Sequence, residues 1–200
     1  NRNIFKGGEW LSLSVMGNFQ VSVKNETKAI EFGANAGLSF PTFLLLPSSV
    51  FRNIVPRTDI NLTYNYQQRP EYSRNMIGGK FGWSWGSKNN KWYFQATPLQ
   101  INIVNLPYYS PQFMESLTNP FVREAYKNHF DLGLGYNMQY SSTPSINPKV
   151  SYLKASLQVD ISGNLISAFN KFMPKDSTGA YTIWDSPYSQ YIRAEGSASY

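Results

Sequence analysis

Apolar side chains occupy every second position along much of this chain. This alternation predicts β-strands, because successive side chains of a strand point to opposite faces. Residues 11–23 carry Leu, Val and Phe on one face and mainly Ser, Asn and Gln on the other. Residues 30–40 repeat the pattern after a polar turn predicted at residues 25–28. The two runs predict a hairpin with one apolar face.

Six further runs of the same kind follow, so the chain is predicted to contain about eight antiparallel strands joined in up-and-down order. In the fifth run the apolar positions change from even to odd numbers at Pro98, which predicts a β-bulge there. The six further runs are residues 59–66, 76–85, 92–103, 129–141, 152–161 and 191–200.

The segments between the runs are predicted to be turns and loops. Residues 41–57 form a hydrophobic connection whose three prolines argue against a central strand. Residues 67–75 are predicted to be a loop, and residues 86–90 and 143–149 to be turns. Near residues 110–128 the period changes, and Ser110-Pro111 and Asn119-Pro120 each place a capping residue before proline, which predicts a helical loop insertion.

The composition suits a wall between lipid and water. Aromatic residues make up 16% of the chain and charged residues 15%, against about 25% charged in an ordinary soluble domain. The longest apolar run is residues 43–46, far shorter than the ~20 residues of a membrane-spanning helix. The net charge of +6 comes from scattered Lys and Arg, so no nucleic-acid interface is expected. The absence of cysteine fits an oxidising compartment.

The polar faces distinguish a membrane barrel from a soluble one. A soluble barrel has its apolar face inside and a solvent face rich in Lys and Glu. Here the polar faces carry few charges, which favours a transmembrane β-barrel with its apolar face toward lipid; a soluble lipid-binding β domain is the alternative. Bulky aromatic residues expected to form interfacial girdles lie near strand ends, at Trp10, Trp83, Trp85, Trp92, Tyr93, Tyr108 and Tyr109.

The sequence contains little that could perform chemistry. His129 is the one histidine and has no partnering nucleophile in the pattern, so no catalytic, metal or cofactor site is predicted and the protein is not expected to be an enzyme. Charged residues on the polar faces of the last two strands are predicted to face the lumen as a charge ladder or, alternatively, an ion-selectivity ring. They are Lys154, Asp160, Arg193 and Glu195.

Several segments resemble the BamA/TamA-type outer-membrane protein assembly family, also described as bacterial surface antigen barrels. The similarity spans nearly the whole chain, although each motif is short and their common order carries it. The motifs are residues 3–9 (NIFKGGE), 65–72 (NYQQRPEY), 81–85 (FGWSW), the helical loop from 110 to 121, and 163–165 (GNL). The Arg-Gly motif of the family's inward-folded loop is not found in this chain.

The resemblance implies a 16-stranded barrel in the outer membrane of a Gram-negative bacterium, with residues 1–200 as a single partial domain, its amino-terminal half. It implies insertion and assembly, or translocation, of other outer-membrane proteins through a lateral seam, with membrane lipids, client barrels and assembly-machinery subunits as partners and no cofactor. A passive channel for small solutes is the alternative. The first strand would form one side of the seam, through Glu9, Leu11, Ser12, Leu13, Ser14 and Val15.

Overall fold

The computed structural model describes residues 7–22, 27–46, 54–144, 151–167, 174, 175, 179, 181–183 and 186–200. Strands dominate these ranges, as the alternation predicts. The strands are β1 (Trp10–Ser22), β2 (Thr27–Phe40), β3 (Val55–Gln68), β4 (Tyr72–Gly86), β5 (Trp92–Tyr109), β6 (His129–Ser141), β7 (Lys154–Ser162), β8 (Thr182–Ile183), β9 (Ser186–Pro187) and β10 (Tyr191–Ser199). The helices are α1 (Pro111–Ser116), α2 (Pro120–Ala125) and α3 (Asn164–Ser167).

Eight strands form one antiparallel sheet in the order β1-β2-β3-β4-β5-β6-β7-β10, and β8 pairs with β9 in a separate two-stranded ribbon. The predicted all-β, up-and-down arrangement of about eight strands is therefore confirmed. Strands β1 and β10 are the two edges of the sheet. Within the described ranges the sheet is open, so it is not by itself a closed barrel.

The strand register keeps the apolar positions on one face of the sheet and the polar positions on the other. Residues directly opposite each other in an antiparallel pair lie on the same face. One row of the apolar face crosses six strands as Leu13, Ala36, Leu62, Gly79, Ile101 and Leu132. The neighbouring row of the polar face crosses them as Ser14, Asn35, Thr63, Gly78, Asn102 and Asp131.

The β-bulge predicted at Pro98 is confirmed. Thr97 lies opposite Gly135 and Gln100 opposite Gly133, so β5 has one residue more than β6 across this stretch. The extra residue lets both halves of β5 direct their apolar side chains to the same face. The register with β4 shows a second irregularity around Pro107, between the pairs that contain Tyr108 and Asn105, which the sequence pattern did not predict.

The prediction of a loop at residues 67–75 is wrong. β3 continues to Gln68 and β4 begins at Tyr72, so only residues 69–71 form the turn, which the Arg69 N–H closes by donating to the Tyr72 carbonyl at 2.8 Å. The apolar alternation ends before β3 and β4 do, because the ends of these strands carry polar side chains that bind each other. The Gln67 Oε1 accepts hydrogen bonds from the Tyr72 hydroxyl at 3.0 Å and from Arg74 at 3.1 Å.

Two predicted connections are also shorter than expected. Within the predicted connection 41–57, β3 already begins at Val55 and includes Pro56, which lies opposite Trp85 of β4. β2 ends at Phe40, opposite Thr58, so Pro56 has a strand on one side only, where a missing N–H is tolerated. Of the turn predicted at residues 25–28, the last two residues belong to β2, whereas 25 and 26 lie outside the described residues, as do 3–6 and 145–149.

The helical insertion predicted near residues 110–128 is confirmed by α1 and α2. Ser110 caps α1, because its hydroxyl accepts a hydrogen bond from the Phe113 N–H at 3.2 Å and Pro111 occupies the first helical position. None of the helices in the described part of the chain is long and apolar enough to cross a membrane.

Candidate functional site

The free edge of β1 is the first candidate site. β1 has 13 residues and pairs with β2 along its whole length without a bulge. No other strand of the described sheet pairs with its second side. Sheets usually protect such an edge with Lys, Pro, a bulge or a short strand, but β1 contains no charged residue and no proline. One row of its backbone N–H and C=O groups is therefore open to another strand.

The predicted seam residues lie on this strand, with one exception. Leu11, Leu13 and Val15 are on the apolar face, and the Leu13 side chain is 71% exposed. Ser12 and Ser14 are on the polar face, as their register with β2 requires. Glu9 precedes β1, and its carboxylate accepts a hydrogen bond from the Gly7 N–H at 3.0 Å. Five of the six predicted residues therefore lie on one continuous strand, and Glu9 lies directly before it.

The second edge, β10, has a different character. It is 9 residues long and carries two charged residues. The Arg193 Nε donates to the Glu195 carboxylate at 2.8 Å, and Arg193 lies directly opposite Asp160 of β7. The two edges of the sheet therefore differ in charge: β1 is uncharged, whereas β10 carries a charge pair.

The four charged residues predicted to face the lumen all lie on the polar face, but they do not form one group. Asp160, Arg193 and Glu195 lie together, and the Asp160 carboxylate also accepts a hydrogen bond from Gln158 at 2.7 Å. Lys154 is at the other end of β7, about 20 Å away along the strand. Its ammonium lies 5.2 Å from the centre of the Tyr152 ring. The predicted ladder is therefore a cluster of three residues.

The polar face contains groups that require water. The Oδ1 atoms of Asp131 and Asn137 are buried and have no hydrogen-bond partner among the described residues. The other Asp131 oxygen lies 3.8 Å from His129, whose Nδ1 contacts the Lys127 carbonyl oxygen at 2.8 Å. A hollow of about 150 Å³ on the same face is lined by polar side chains, including Lys80. Because hydrocarbon offers no hydrogen bonds to carboxylate, amide and ammonium groups, this face is unsuited to lipid.

The helical loop covers one end of the polar face. Tyr72 and Arg74 are two residues apart on β4, so both side chains lie on its polar face. Tyr72 is buried. The Tyr72 ring lies 5.2 Å from Phe113 and 5.1 Å from Tyr126, centre to centre, and the Arg74 guanidinium lies 5.6 Å from the Tyr126 ring centre. Sequence reasoning predicted the helices but missed this inward packing. The available signal was the pair of Tyr72 and Arg74, two large side chains next to each other on the polar face of β4.

The apolar face has no protein cover over most of its area. Among the described residues only Tyr72, Val104, Leu106 and Phe130 are buried hydrophobic side chains, which is a very small core for such a chain. A large exposed apolar surface marks contact with a partner or a membrane. Every strand of the sheet contributes an exposed apolar or aromatic side chain to it: Leu13, Phe32, Leu62, Ile77, Leu99, Tyr136, Leu157 and Ile192.

Aromatic rings collect at one end of the apolar face, near the turn that joins β4 to β5. Trp85 stacks on Phe94 at 5.6 Å between ring centres, and Trp92 lies 4.7 Å from Tyr140. Of the residues expected to form girdles, Trp83, Trp85, Trp92 and Tyr108 are on the apolar face, whereas Trp10, Tyr93 and Tyr109 lie on the polar face. A residue's position near a strand end does not decide which face its side chain occupies. The face depends on whether the residue falls on an odd or an even position of the strand.

Comparison with known proteins gives no relative for this chain. Neither the protein-family models, nor the curated proteins, nor the solved structures contain a match.

Proposed function

We propose that this chain is part of the wall of an outer-membrane β-barrel, with its apolar face toward lipid and its polar face toward a water-filled lumen. Three observations support the proposal: the exposed apolar row on every strand, the very small internal core, and the polar groups that require water on the opposite face. In this proposal further strands pair with the free edges of β1 and β10 and close the barrel, at 16 strands if the resemblance to the BamA/TamA-type family holds.

The function that fits best is the insertion and assembly of other outer-membrane proteins at the β1 edge. The single observation that carries it is a 13-residue edge strand without charge, proline or bulge. In hydrocarbon every unpaired backbone group costs several kcal/mol, so the β1 edge must be covered by another strand. A closing strand that pairs weakly can be replaced by the strand of a client, which then continues the sheet by β-augmentation.

The proposal needs no covalent chemistry and no cofactor. The partners are membrane lipids, client outer-membrane proteins and the subunits of an assembly machinery; nucleic acid is not among them. The helical loop on the polar face would narrow the lumen at one end, where the Tyr72, Phe113 and Tyr126 rings pack together. A narrowed lumen fits a protein whose clients enter the membrane sideways.

Photo-crosslinking in cells tests the seam. A photoreactive amino acid replaces Ser14 on β1 or, as a control, Gln139 on β6; both are exposed on the polar face, but β6 has a strand on each side. Directly opposite residues have Cβ atoms about 5 Å apart, so the probe at Ser14 reaches a strand paired with β1. Newly made outer-membrane proteins should crosslink at Ser14 and not at Gln139. Folded protein that captures no client at Ser14 would overturn the proposal.

The second candidate is a passive channel for small solutes, and the continuous polar face favours it. A channel predicts solute-selective conductance from the purified protein and normal assembly of other barrels when the protein is depleted. The assembly function predicts the opposite result on depletion, a loss of newly inserted barrel proteins from the outer membrane. Depletion followed by quantification of outer-membrane proteins therefore separates the two candidates.

A further inference from the structure

The segment that follows β2 crosses the apolar face of the sheet. Residues 41–46, here called the leucine strap, lie over β3 and β4 at their ends. The Thr58 hydroxyl of β3 donates to the Thr42 carbonyl at 2.7 Å and accepts from the Leu44 N–H at 3.0 Å. The Trp83 indole of β4 donates to the Leu44 carbonyl at 2.9 Å. Thr58 and Trp83 are opposite each other on the apolar face, so the strap lies on that face.

The strap satisfies the condition for irregular backbone at a membrane surface. Backbone outside helices and sheets is excluded from hydrocarbon unless its polar groups are paired within the protein. The three hydrogen bonds with Thr58 and Trp83 pair the Thr42 carbonyl and both backbone groups of Leu44 within the protein. In turn the strap covers the Thr58 hydroxyl, whose residue is 0% exposed, and so removes a polar group from the apolar face.

The leucine strap carries no charge, and its most exposed large side chain is apolar. Residues 41–46 read Pro-Thr-Phe-Leu-Leu-Leu, and the Leu45 side chain is 87% exposed. Leu45 has a φ of 67°, a left-handed conformation that costs a non-glycine residue about 1–3 kcal/mol. Phe43, Leu44 and Leu46 are half-buried, and the Phe43 ring lies edge-on to Trp85 at 6.0 Å between ring centres. The backbone thus bears strain while presenting a leucine away from the protein.

We propose that the leucine strap is an interfacial membrane anchor whose exposed leucine, Leu45, is covered by lipid at the boundary between headgroups and acyl chains. This inference rests on the proposed lipid-facing orientation of the apolar face, with which the strap is continuous. Lipid is the favoured occupant because the strap lies beside the aromatic end of the sheet, which includes Trp85, Phe94 and Trp92. Aromatic girdles mark the membrane interface in outer-membrane barrels. The strap then fixes the depth of this end of the barrel in one leaflet.

Depth-dependent fluorescence quenching tests the strap. The chain contains no cysteine, so Leu45→Cys, Leu62→Cys and Lys88→Cys each give one labelling site in it; cysteines elsewhere in the intact protein are replaced. Each variant of the intact protein carries an environment-sensitive fluorophore in phosphatidylcholine vesicles. The quenchers are lipids labelled near the headgroup, lipids labelled deep in the acyl chain, and aqueous iodide.

The strap proposal predicts strongest quenching of the Leu45 site by the shallow lipid, of the Leu62 site by the deep lipid, and of the Lys88 site by iodide. Iodide quenching at Leu45 together with deep-lipid quenching at Leu62 would overturn the strap and leave the barrel orientation intact. Deep quenching at Leu45 equal to that at Leu62 would also overturn the interfacial position. Iodide quenching at both Leu45 and Leu62 would overturn the orientation itself, and the strap proposal with it.

Discussion

Replacing Leu62 by arginine is the sharpest test of which face meets lipid. Leu62 lies in the middle of β3, opposite Ala36 and Gly79, and its side chain is 61% exposed because both neighbours are small. The neighbouring Thr63 is also exposed but lies on the polar face, opposite Asn35 and Gly78. The two positions share a strand and a depth and differ in the face they occupy. Thr63→Arg is therefore the matched control for Leu62→Arg.

The expected destabilisation follows from depth. The apolar band of an outer-membrane barrel is about 25 Å tall, so the middle of a strand lies about 12 Å from either interface. Arginine on the lipid face at the midplane destabilises such a barrel by ~2–4 kcal/mol. This corresponds to a decrease of about 30- to 700-fold in the ratio of folded to unfolded protein. Thr63→Arg, which points into water, should change stability by about 0.5 kcal/mol or less.

Urea unfolding of the intact protein in phospholipid vesicles, followed by tryptophan fluorescence, measures both variants. The Leu62→Arg midpoint should move to lower urea, while that of Thr63→Arg should stay near the parent protein. If the polar face met the hydrocarbon instead, Thr63→Arg would be the variant with the lower midpoint. Equal midpoints for the two variants would therefore refute the proposed orientation of the sheet.

Three further predictions concern single contacts. Thr58→Val removes the hydrogen-bond partner of the Thr42 carbonyl and of the Leu44 N–H in the leucine strap and should destabilise the protein by about 1–3 kcal/mol in the same urea assay. Gly133→Ala places a Cβ 2.6 Å from a carbonyl oxygen of β7 and should cost about 1–3 kcal/mol, whereas Gly17→Ala meets no atom within 4 Å and should be tolerated. Tyr72→Ala should release the helical loop and speed its cleavage by trypsin, measured by mass spectrometry, whereas Tyr109→Ala, at an exposed tyrosine, should leave the cleavage rate unchanged.

The strands were predictable because the two faces of each strand carry different residue types, apolar on one face and polar on the other. Period-two alternation reports the face of most side chains, and the change of the apolar positions from even to odd numbers at Pro98 reports the bulge. The pattern failed where both faces are polar. Gln67 and Arg74 continue the ladder between β3 and β4 with side-chain hydrogen bonds and without apolar alternation, so the sequence indicated a loop.

The leucine strap and the inward packing of the helical loop could not be predicted in the same way. Both depend on contacts between residues distant in sequence, such as Trp83 with Leu44, and Tyr126 with Tyr72. Local periodicity carries no information about such contacts. Local periodicity also cannot predict closure of the barrel, because closure depends on the number, tilt and stagger of all strands together.

The inequality of the two sheet edges gives a physical reason to place the seam at β1. An opposed charge pair such as Arg193 with Asp160 favours one register between strands, and the Glu195 carboxylate adds to it on the outer strand. A strand that presents these charges suits a permanent neighbour with matching polar groups. Apart from Trp10 at its start, β1 presents only serine, asparagine, glutamine and methionine on its polar face, so its side chains specify register weakly. A protein that must accept strands from many different clients needs an edge of this second kind, where the backbone provides most of the pairing energy and the side chains exclude few partners.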